Sequence, residues 1–102
     1  LSWIGSPMTA YIVFTRERLR EPADFATYGE KAGATLAGHT AKPLVFYGKT
    51  EMLEGAPIEG AVIVEFPSIE AAKAWYDSPA YREAREHRFK GADYRVFITE
   101  GM

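Results

Sequence analysis

The order of short β-rich runs and helical segments constrains the fold of this chain more than any other feature. Four runs are rich in β-branched and aromatic residues, and Gly, Pro or charged residues flank them, which is typical of strands. They read AYIVFT (Ala10–Thr15), PLVFYGKTEML (Pro43–Leu53), AVIVEF (Ala61–Phe66) and YRVFIT (Tyr94–Thr99). Gly48 interrupts the second run, which we interpret as a bulge or a bend. The charged residues 16–21 follow the first run and are predicted to form a connection.

Two segments with helical periodicity separate these runs. The first begins at Pro22, which fits the first turn of a helix. The second begins after Ser68, a favoured N-cap residue, and ends near Gly91. Ser78-Pro79 divides it, because proline inside a helix removes a hydrogen bond and clashes with the preceding turn. Residues at helical spacing define the buried stripes: Phe25, Tyr28, Ala32 and Leu36 in the first segment, and Ile69, Ala72 and Tyr76 in the second.

The element order is therefore β-α-β-β-α-β, the split βαβ arrangement of the α+β, ferredoxin-like fold. It predicts a four-stranded antiparallel sheet with both helices on one face. The 102 residues suit one domain, which we place at residues 8–102. Residues 1–7 precede the first methionine, Met8, and we interpret them as a non-native or upstream leader. The alternative is a genuine N-terminal arm that docks through Trp3 and Ile4.

The strands are apolar on both faces, although a sheet covered by helices on one face should alternate apolar and polar residues. In the first strand, Tyr11 and Val13 point one way while Ile12 and Phe14 point the other. The second and third strands share this pattern, which leaves about six to eight large side chains in water. Covering them is worth on the order of 10 kcal/mol before association costs. We therefore expect a homodimer in which two sheets pack face to face, the dimeric α/β barrel.

Charge and composition exclude several classes of function. The formal net charge is −2, so the chain has no strong basic field for nucleic acid or for an anionic membrane surface. No apolar run reaches the ~20 residues that span a bilayer, and nothing demands export, so we expect a cytoplasmic protein. The chain has no cysteine, and its two histidines, His39 and His87, lack metal-ligand spacing. The sequence therefore indicates neither a metal nor another cofactor.

One long run is specific enough to indicate a family. Residues 65–81 read EFPSIEAAKAWYDSPAY, which resembles the signature of the bacterial family called domain of unknown function 1330. Ala10-Tyr11-Ile12, His39 and Met52-Leu53-Glu54-Gly55 extend the resemblance over roughly Met8 to Met102. It implies a ferredoxin-like protein that forms a dimeric α/β barrel, and it implies no established reaction. Such barrels include cofactor-independent monooxygenases, lactone isomerases, haem enzymes and non-catalytic stress-response proteins, and fold alone does not choose among them.

Four side chains are candidates for a site between sheet and helices. Tyr28 and Tyr76 lie on the inner helical stripes, where their hydroxyls either face a small cavity or pair within a packed core. His39, at the predicted end of the first helix, either lines that cavity or complements the helix dipole. Glu65 lies in an otherwise apolar strand and is either a buried general base or a carboxylate that reaches solvent or a cation. His39 and Glu65 are thus the two weak candidates for catalysis.

Arg88 is the strongest candidate for ligand binding. It shares one stripe of the last helical segment with Tyr81 and Arg85, and the aromatic residue at the head of that stripe indicates that it faces protein. The guanidinium of Arg88 either extends to the surface along its aliphatic stem or reaches inward to an anion. Such an anion is a small organic acid or Glu65. Arg88 also matches an arginine position of the family pattern.

Two functions remain open. The favoured one is binding of, or action on, a small anionic or aromatic metabolite in a cavity between sheet and helices, without a cofactor. Its ligand-binding residues are Tyr28, His39, Tyr76 and Arg88. The alternative is a non-catalytic dimeric module whose aromatic residues form a filled core. An open cavity favours the first function, and a dry, filled core favours the second.

Overall fold

The computed structural model describes residues 8–102 and shows an α+β, ferredoxin-like chain. The elements are β1 (Ala10–Leu19), α1 (Pro22–Ala32), a 3₁₀ helix (Gly33–Leu36), β2 (Lys42–Phe46), β3 (Gly60–Phe66), α2 (Ile69–Tyr76), α3 (Pro79–Gly91) and β4 (Ala92–Glu100). The strands form one antiparallel sheet in the order β2-β3-β1-β4, which confirms the predicted fold class. The predicted leader, with Trp3 and Ile4, lies outside the described residues. Within residues 8–102, no helix combines the length and apolar character that crossing a membrane requires.

The predicted signals at the helix ends are in place. Ser68 caps α2, since its Oγ accepts a hydrogen bond from the backbone N–H of Ala71 at 3.0 Å. The break between α2 and α3 is also present. Pro79 is the first residue of α3, and Ser78 Oγ accepts from the N–H of Tyr81 at 3.3 Å. One interrupted segment of sequence therefore contributes two helices.

The strand β1 extends to Leu19. The predicted connection at residues 16–21 is therefore wrong for residues 16–19. The charged end of β1 pairs with the start of β4, with an irregularity in register after Arg16. Oppositely charged neighbours explain the extension. Asp93 lies 2.7 Å from the Nε of Arg20, and Glu59 lies 3.2 Å from the Nε of Arg16. Such pairs stabilise a strand end that has no apolar pattern of its own.

The strand β2 ends at Phe46, so the predicted strand to Leu53 is wrong beyond that residue. Tyr47 has a φ of 53°, in the left-handed region, which turns the chain out of the β ladder. The register between β2 and β3 shifts between Pro43 and Val45. The bulge therefore lies before the end of β2, whereas the bend falls at Tyr47, next to Gly48, where the sequence predicted a bulge or a bend.

Alternation along the central strands divides their side chains between two surfaces. The core on the helix-covered face includes Ile12, Phe14, Val64 and Phe66. On the open face, Val45, Ile63, Val13 and Phe97 are successive cross-strand neighbours in one apolar row that spans all four strands. Tyr11, two residues before Val13, lies on the same face. Phe46 and Tyr47 belong to the helix-covered face.

Candidate functional site

A cavity of about 450 Å³ lies between α1 and the helix-covered face of the sheet. The helix α1 and the 3₁₀ helix form one wall, and side chains of β1, β2 and β3 form the floor. Half of the lining residues are aromatic: Phe14, Phe25, Tyr28, Phe46, Tyr47, Trp75 and Tyr94. Protein cores contain few voids larger than a water molecule. A space of this size is therefore a feature of the fold and not an ordinary packing defect.

Two glycines leave the entrance of the cavity open. Gly29 and Gly33 line the cavity and are exposed, as are Pro43 and Phe46 on the β2 side. A Cβ added at either glycine would meet no atom within 4 Å. Glycine in a helix lowers stability by about 1 kcal/mol relative to alanine. The chain thus retains an entrance where a larger side chain would give a more stable helix.

Three tyrosines that line the cavity, Tyr28, Tyr47 and Tyr94, belong to two hydrogen-bonded pairs of hydroxyls. The Oη atoms of Tyr28 and Tyr81 are 2.8 Å apart and buried. The hydroxyls of Tyr47 and Tyr94 form the second hydrogen-bonded pair. Each pair uses one of its two hydroxyl protons, so the other proton is free for a further acceptor. The apolar cavity therefore has polar donor groups at its border.

Tyr47 meets Tyr94 from the opposite edge of the sheet. The strands β2 and β4 are the two edges, and Gly60 and Arg16 lie between them in the cross-strand row of Tyr94. Gly60 permits the crossing, since a Cβ there would lie 2.7 Å from Tyr47 Cδ1. A left-handed tyrosine backbone costs on the order of 1–3 kcal/mol and persists only where surrounding contacts hold it. The sequence analysis identified neither tyrosine as a site residue. The pattern could have indicated Tyr94, because alternation along the strand places it on the same face as Val96.

Arg88 is buried behind the aromatic wall of the cavity. The residue is 3% exposed, so its guanidinium reaches inward and does not extend to the surface. Its Nη2 donates a hydrogen bond to the Oη of Tyr76 at 3.3 Å. Its Cζ lies 5.1 Å from the ring centroid of Tyr94 and 6.0 Å from that of Tyr28. Three of the predicted ligand-binding residues, Tyr28, Tyr76 and Arg88, are therefore brought together.

The sequence candidates His39, Tyr76 and Glu65 do not line the cavity. His39 comes three residues after Leu36, which lines the cavity, and is not itself a lining residue. Tyr76 borders a smaller space of about 270 Å³ beside β4. Glu65 lies on the open face, where its cross-strand neighbours are Lys42 and Tyr11. It is therefore not the anion that Arg88 reaches, and its place beside Lys42 fits the alternative of a carboxylate near a cation.

The buried hydroxyls are neutral hydrogen-bond donors. Burial raises the pKa of Tyr28, and the neighbouring Tyr81 raises it further, against the smaller opposing effect of Arg88. Burial raises the pKa of Tyr81, while Arg88 acts to lower it. Burial and the hydrogen bond with Tyr47 raise the pKa of Tyr94. All three hydroxyls stay protonated at neutral pH.

The arrangement fits a planar, largely apolar ligand with a polar edge. Aromatic rings favour stacked and edge-on contacts with another ring system, and a few placed donors fix its orientation. Among residues 8–102, no group of three His, Asp or Glu side chains is arranged to hold a metal ion.

Comparisons with known proteins agree with this architecture. Residues 9–102 match the model of a family described as Domain of unknown function (DUF1330). No curated protein matches the chain. A solved structure of a protein of unknown function from Rhodopseudomonas palustris is 24% identical and has a TM-score of 0.72, covering 93% of this chain and 83% of that one.

Two further solved structures have the same fold at lower identity. SnoaB, a cofactor-independent oxygenase from Streptomyces nogalater, is 8% identical with a TM-score of 0.65, covering 93% of this chain and 94% of that one. A dimeric ferredoxin-like protein of unknown function from Thermobifida fusca is 13% identical with a TM-score of 0.64, covering 93% of this chain and 92% of that one. At these identities the likeness shows the fold alone.

Proposed function

The chain belongs to the DUF1330 family, as the resemblance of residues 65–81 predicted, and we propose that it binds a small, planar aromatic molecule in the cavity beneath α1. The observation that carries this proposal is the cavity itself. Its volume of about 450 Å³ lies within the range of small-molecule sites, roughly 300–1,000 Å³. A non-catalytic module with a filled core has no need of such a space.

The side chains around the cavity support binding in preference to a reaction. The described lining residues include no carboxylate, histidine or lysine. Their polar groups are tyrosine hydroxyls and the indole N–H of Trp75, which already donates to Thr35 Oγ1 at 3.0 Å. General acid–base chemistry needs a group whose pKa lies near the working pH. These residues supply apolar surface and hydrogen-bond donors, which suffice to bind a ligand.

The variant Gly29→Leu separates ligand binding from stability. Leucine at this position favours the helix by about 0.5–1 kcal/mol over glycine, so we expect a higher free energy of unfolding. The same side chain extends into the entrance of the cavity. We therefore expect the Gly29→Leu variant to bind 2-naphthol, a neutral aromatic probe, at least about tenfold more weakly than the parent chain does in isothermal titration calorimetry.

The matched control is Ala26→Leu, at an exposed position of the same helix that does not line the cavity. It should bind 2-naphthol as the parent chain does. Undiminished binding of 2-naphthol by Gly29→Leu contradicts the proposed function, and so does a parent chain that binds no planar aromatic probe.

We also propose that two copies of the chain associate through the open face of the sheet. The apolar row from Val45 to Phe97 crosses all four strands, and its two ends are 37% and 51% exposed. Contiguous apolar surface of this kind is typical of protein interfaces. The dimeric state of the Thermobifida fusca protein supports this proposal.

The variant Val13→Lys tests this assembly at the centre of the row. The parent chain should sediment as a dimer at micromolar concentration, and Val13→Lys should sediment as a folded monomer because its ammonium groups cannot be buried together. Ala74→Lys, on the exposed surface of α2, should remain dimeric. A monomeric parent chain would refute the proposal, as would a dimer that Ala74→Lys dissociates and Val13→Lys does not.

A further inference from the structure

Arg88 carries a buried charge that no described residue neutralises. The residue is 3% exposed, and an arginine side chain stays protonated throughout the accessible pH range. None of the ion pairs formed within residues 8–102 includes Arg88. Its Nη2 reaches the hydroxyl of Tyr76, while its buried Nε has no hydrogen-bond partner. Buried charges in proteins are normally paired. Among the described residues, this cation has no such counter-charge.

Aromatic rings surround the guanidinium without supplying that counter-charge. The Cζ of Arg88 lies 5.1 Å from the ring centroids of Phe89 and Tyr94, and 5.9 Å from that of Phe14. Ring faces attract a cation, but more weakly than an anion does. The hydroxyls nearby do not become anions, because burial raises the pKa of Tyr28 and Tyr81. Among the described residues, the guanidinium of Arg88 therefore keeps its positive charge without a partner anion.

The same rings form the wall of the cavity. Phe14, Tyr28 and Tyr94 line the cavity and also lie within 6.0 Å of the guanidinium carbon of Arg88. The charge of Arg88 acts through one layer of side chains, where water does not screen it. A second arginine, Arg16, stacks over cavity-lining rings as well, but Glu59 lies 3.2 Å from its Nε and balances its charge. The uncompensated positive potential in the cavity therefore comes from Arg88.

We infer that the ligand of the cavity is an aromatic carboxylate, whose negative charge is the counter-charge of Arg88. The inference rests on the proposed function, since it names the class of aromatic molecule that the cavity takes. The ring system occupies the space between α1 and the sheet. The carboxylate oxygens accept the hydroxyl protons that the two tyrosine pairs leave free, with the guanidinium behind them.

Two ligands of equal shape test the inference on the parent chain. At about pH 7, 2-naphthoate is anionic and 2-naphthamide is neutral, and both are planar. We expect 2-naphthoate to bind at least about tenfold more tightly than 2-naphthamide in isothermal titration calorimetry. Equal affinity for the two overturns the inference and leaves the proposed function standing. Failure of 2-naphthol, 2-naphthamide and 2-naphthoate all to bind overturns both.

The variant Arg88→Met assigns the preference to this charge. Methionine keeps much of the volume of the side chain and removes its charge, so the preference for 2-naphthoate over 2-naphthamide should disappear. The matched control is Arg85→Met, one turn earlier on α3, where the arginine lies 3.8 Å from Asp77 Oδ1. That variant should keep the full preference. A preference for 2-naphthoate that survives in Arg88→Met overturns the inference. If Arg88→Met does not fold, the comparison of 2-naphthoate with 2-naphthamide on the parent chain decides whether the inference holds.

Discussion

Replacing Gly91 by alanine is expected to lower the free energy of unfolding by about 3 kcal/mol. A Cβ at Gly91 would lie 2.6 Å from the backbone N of Phe25 and 3.0 Å from its Cα. Backbone atoms cannot rotate away from such a contact, so α1 and α3 would have to separate. The carbonyl of Gly91 also accepts hydrogen bonds from the N–H groups of Arg20 and Glu21, at 2.8 and 2.9 Å. Separation of the helices would strain both bonds.

Urea unfolding of Gly91→Ala and Gly29→Ala, at one protein concentration, measures this effect. Gly29 lies inside α1, and a Cβ there would meet nothing within 4 Å. Gly29→Ala should therefore gain about 0.5–1 kcal/mol from helix propensity alone. If both variants are stabilised, the close approach of α3 to Phe25 is not a constraint on the fold.

Alkaline pH should unfold the protein steeply, because the folded chain keeps three tyrosine hydroxyls protonated. Burial raises the pKa of Tyr28, Tyr81 and Tyr94 above the unfolded value of about 10. Their contribution to stability is complete below about pH 10. Above it, the unfolded chain releases protons that the folded chain retains. The free energy of unfolding then falls by about 1.4 kcal/mol per pH unit for each residue, or about 4 kcal/mol per pH unit for the three.

Phenolate absorbance and circular dichroism, recorded together during a titration with base, check this expectation. The phenolate signals of Tyr28 and Tyr81 should appear only as the secondary structure is lost. The variant Tyr28→Phe should lower the pH dependence of stability by about one third, since it removes one of the three protons. Ionisation of Tyr28 and Tyr81 within a chain that keeps its circular dichroism would contradict the burial of these hydroxyls.

The fold could be predicted from the sequence wherever local chemistry decides it. Ser68 and Pro79 mark the starts of α2 and α3 by capping and by the fixed φ of proline, which need no distant partner. The errors lie where distant residues decide. The end of β1 depends on Asp93 and Glu59. The end of β2 depends on the left-handed backbone of Tyr47, which contacts with β3 and β4 hold in place.

The candidate site divides in the same way. Tyr28 and Arg88 follow from helical periodicity, because the inner face of a helix can be identified from its own residues. The pairing of Tyr47 with Tyr94 requires the register of all four strands and the absence of a side chain at Gly60. No spacing along the chain encodes that meeting. The position of Glu65 on the open face follows from alternation along its strand. The sequence pattern alone did not show that Arg88 lies on the other side of the sheet.

The alternation of Ile12, Val13 and Phe14 limits how this chain can change in length during evolution. Phe14 faces the cavity and Val13 faces the open surface, while β3 divides its side chains in the same manner. An insertion or deletion of one residue within β1 would exchange the two surfaces at every later position of the strand. The proposed binding and the proposed assembly would then be lost in a single event. Viable changes in length are therefore confined to connections such as residues 48–58, where loop closure costs little.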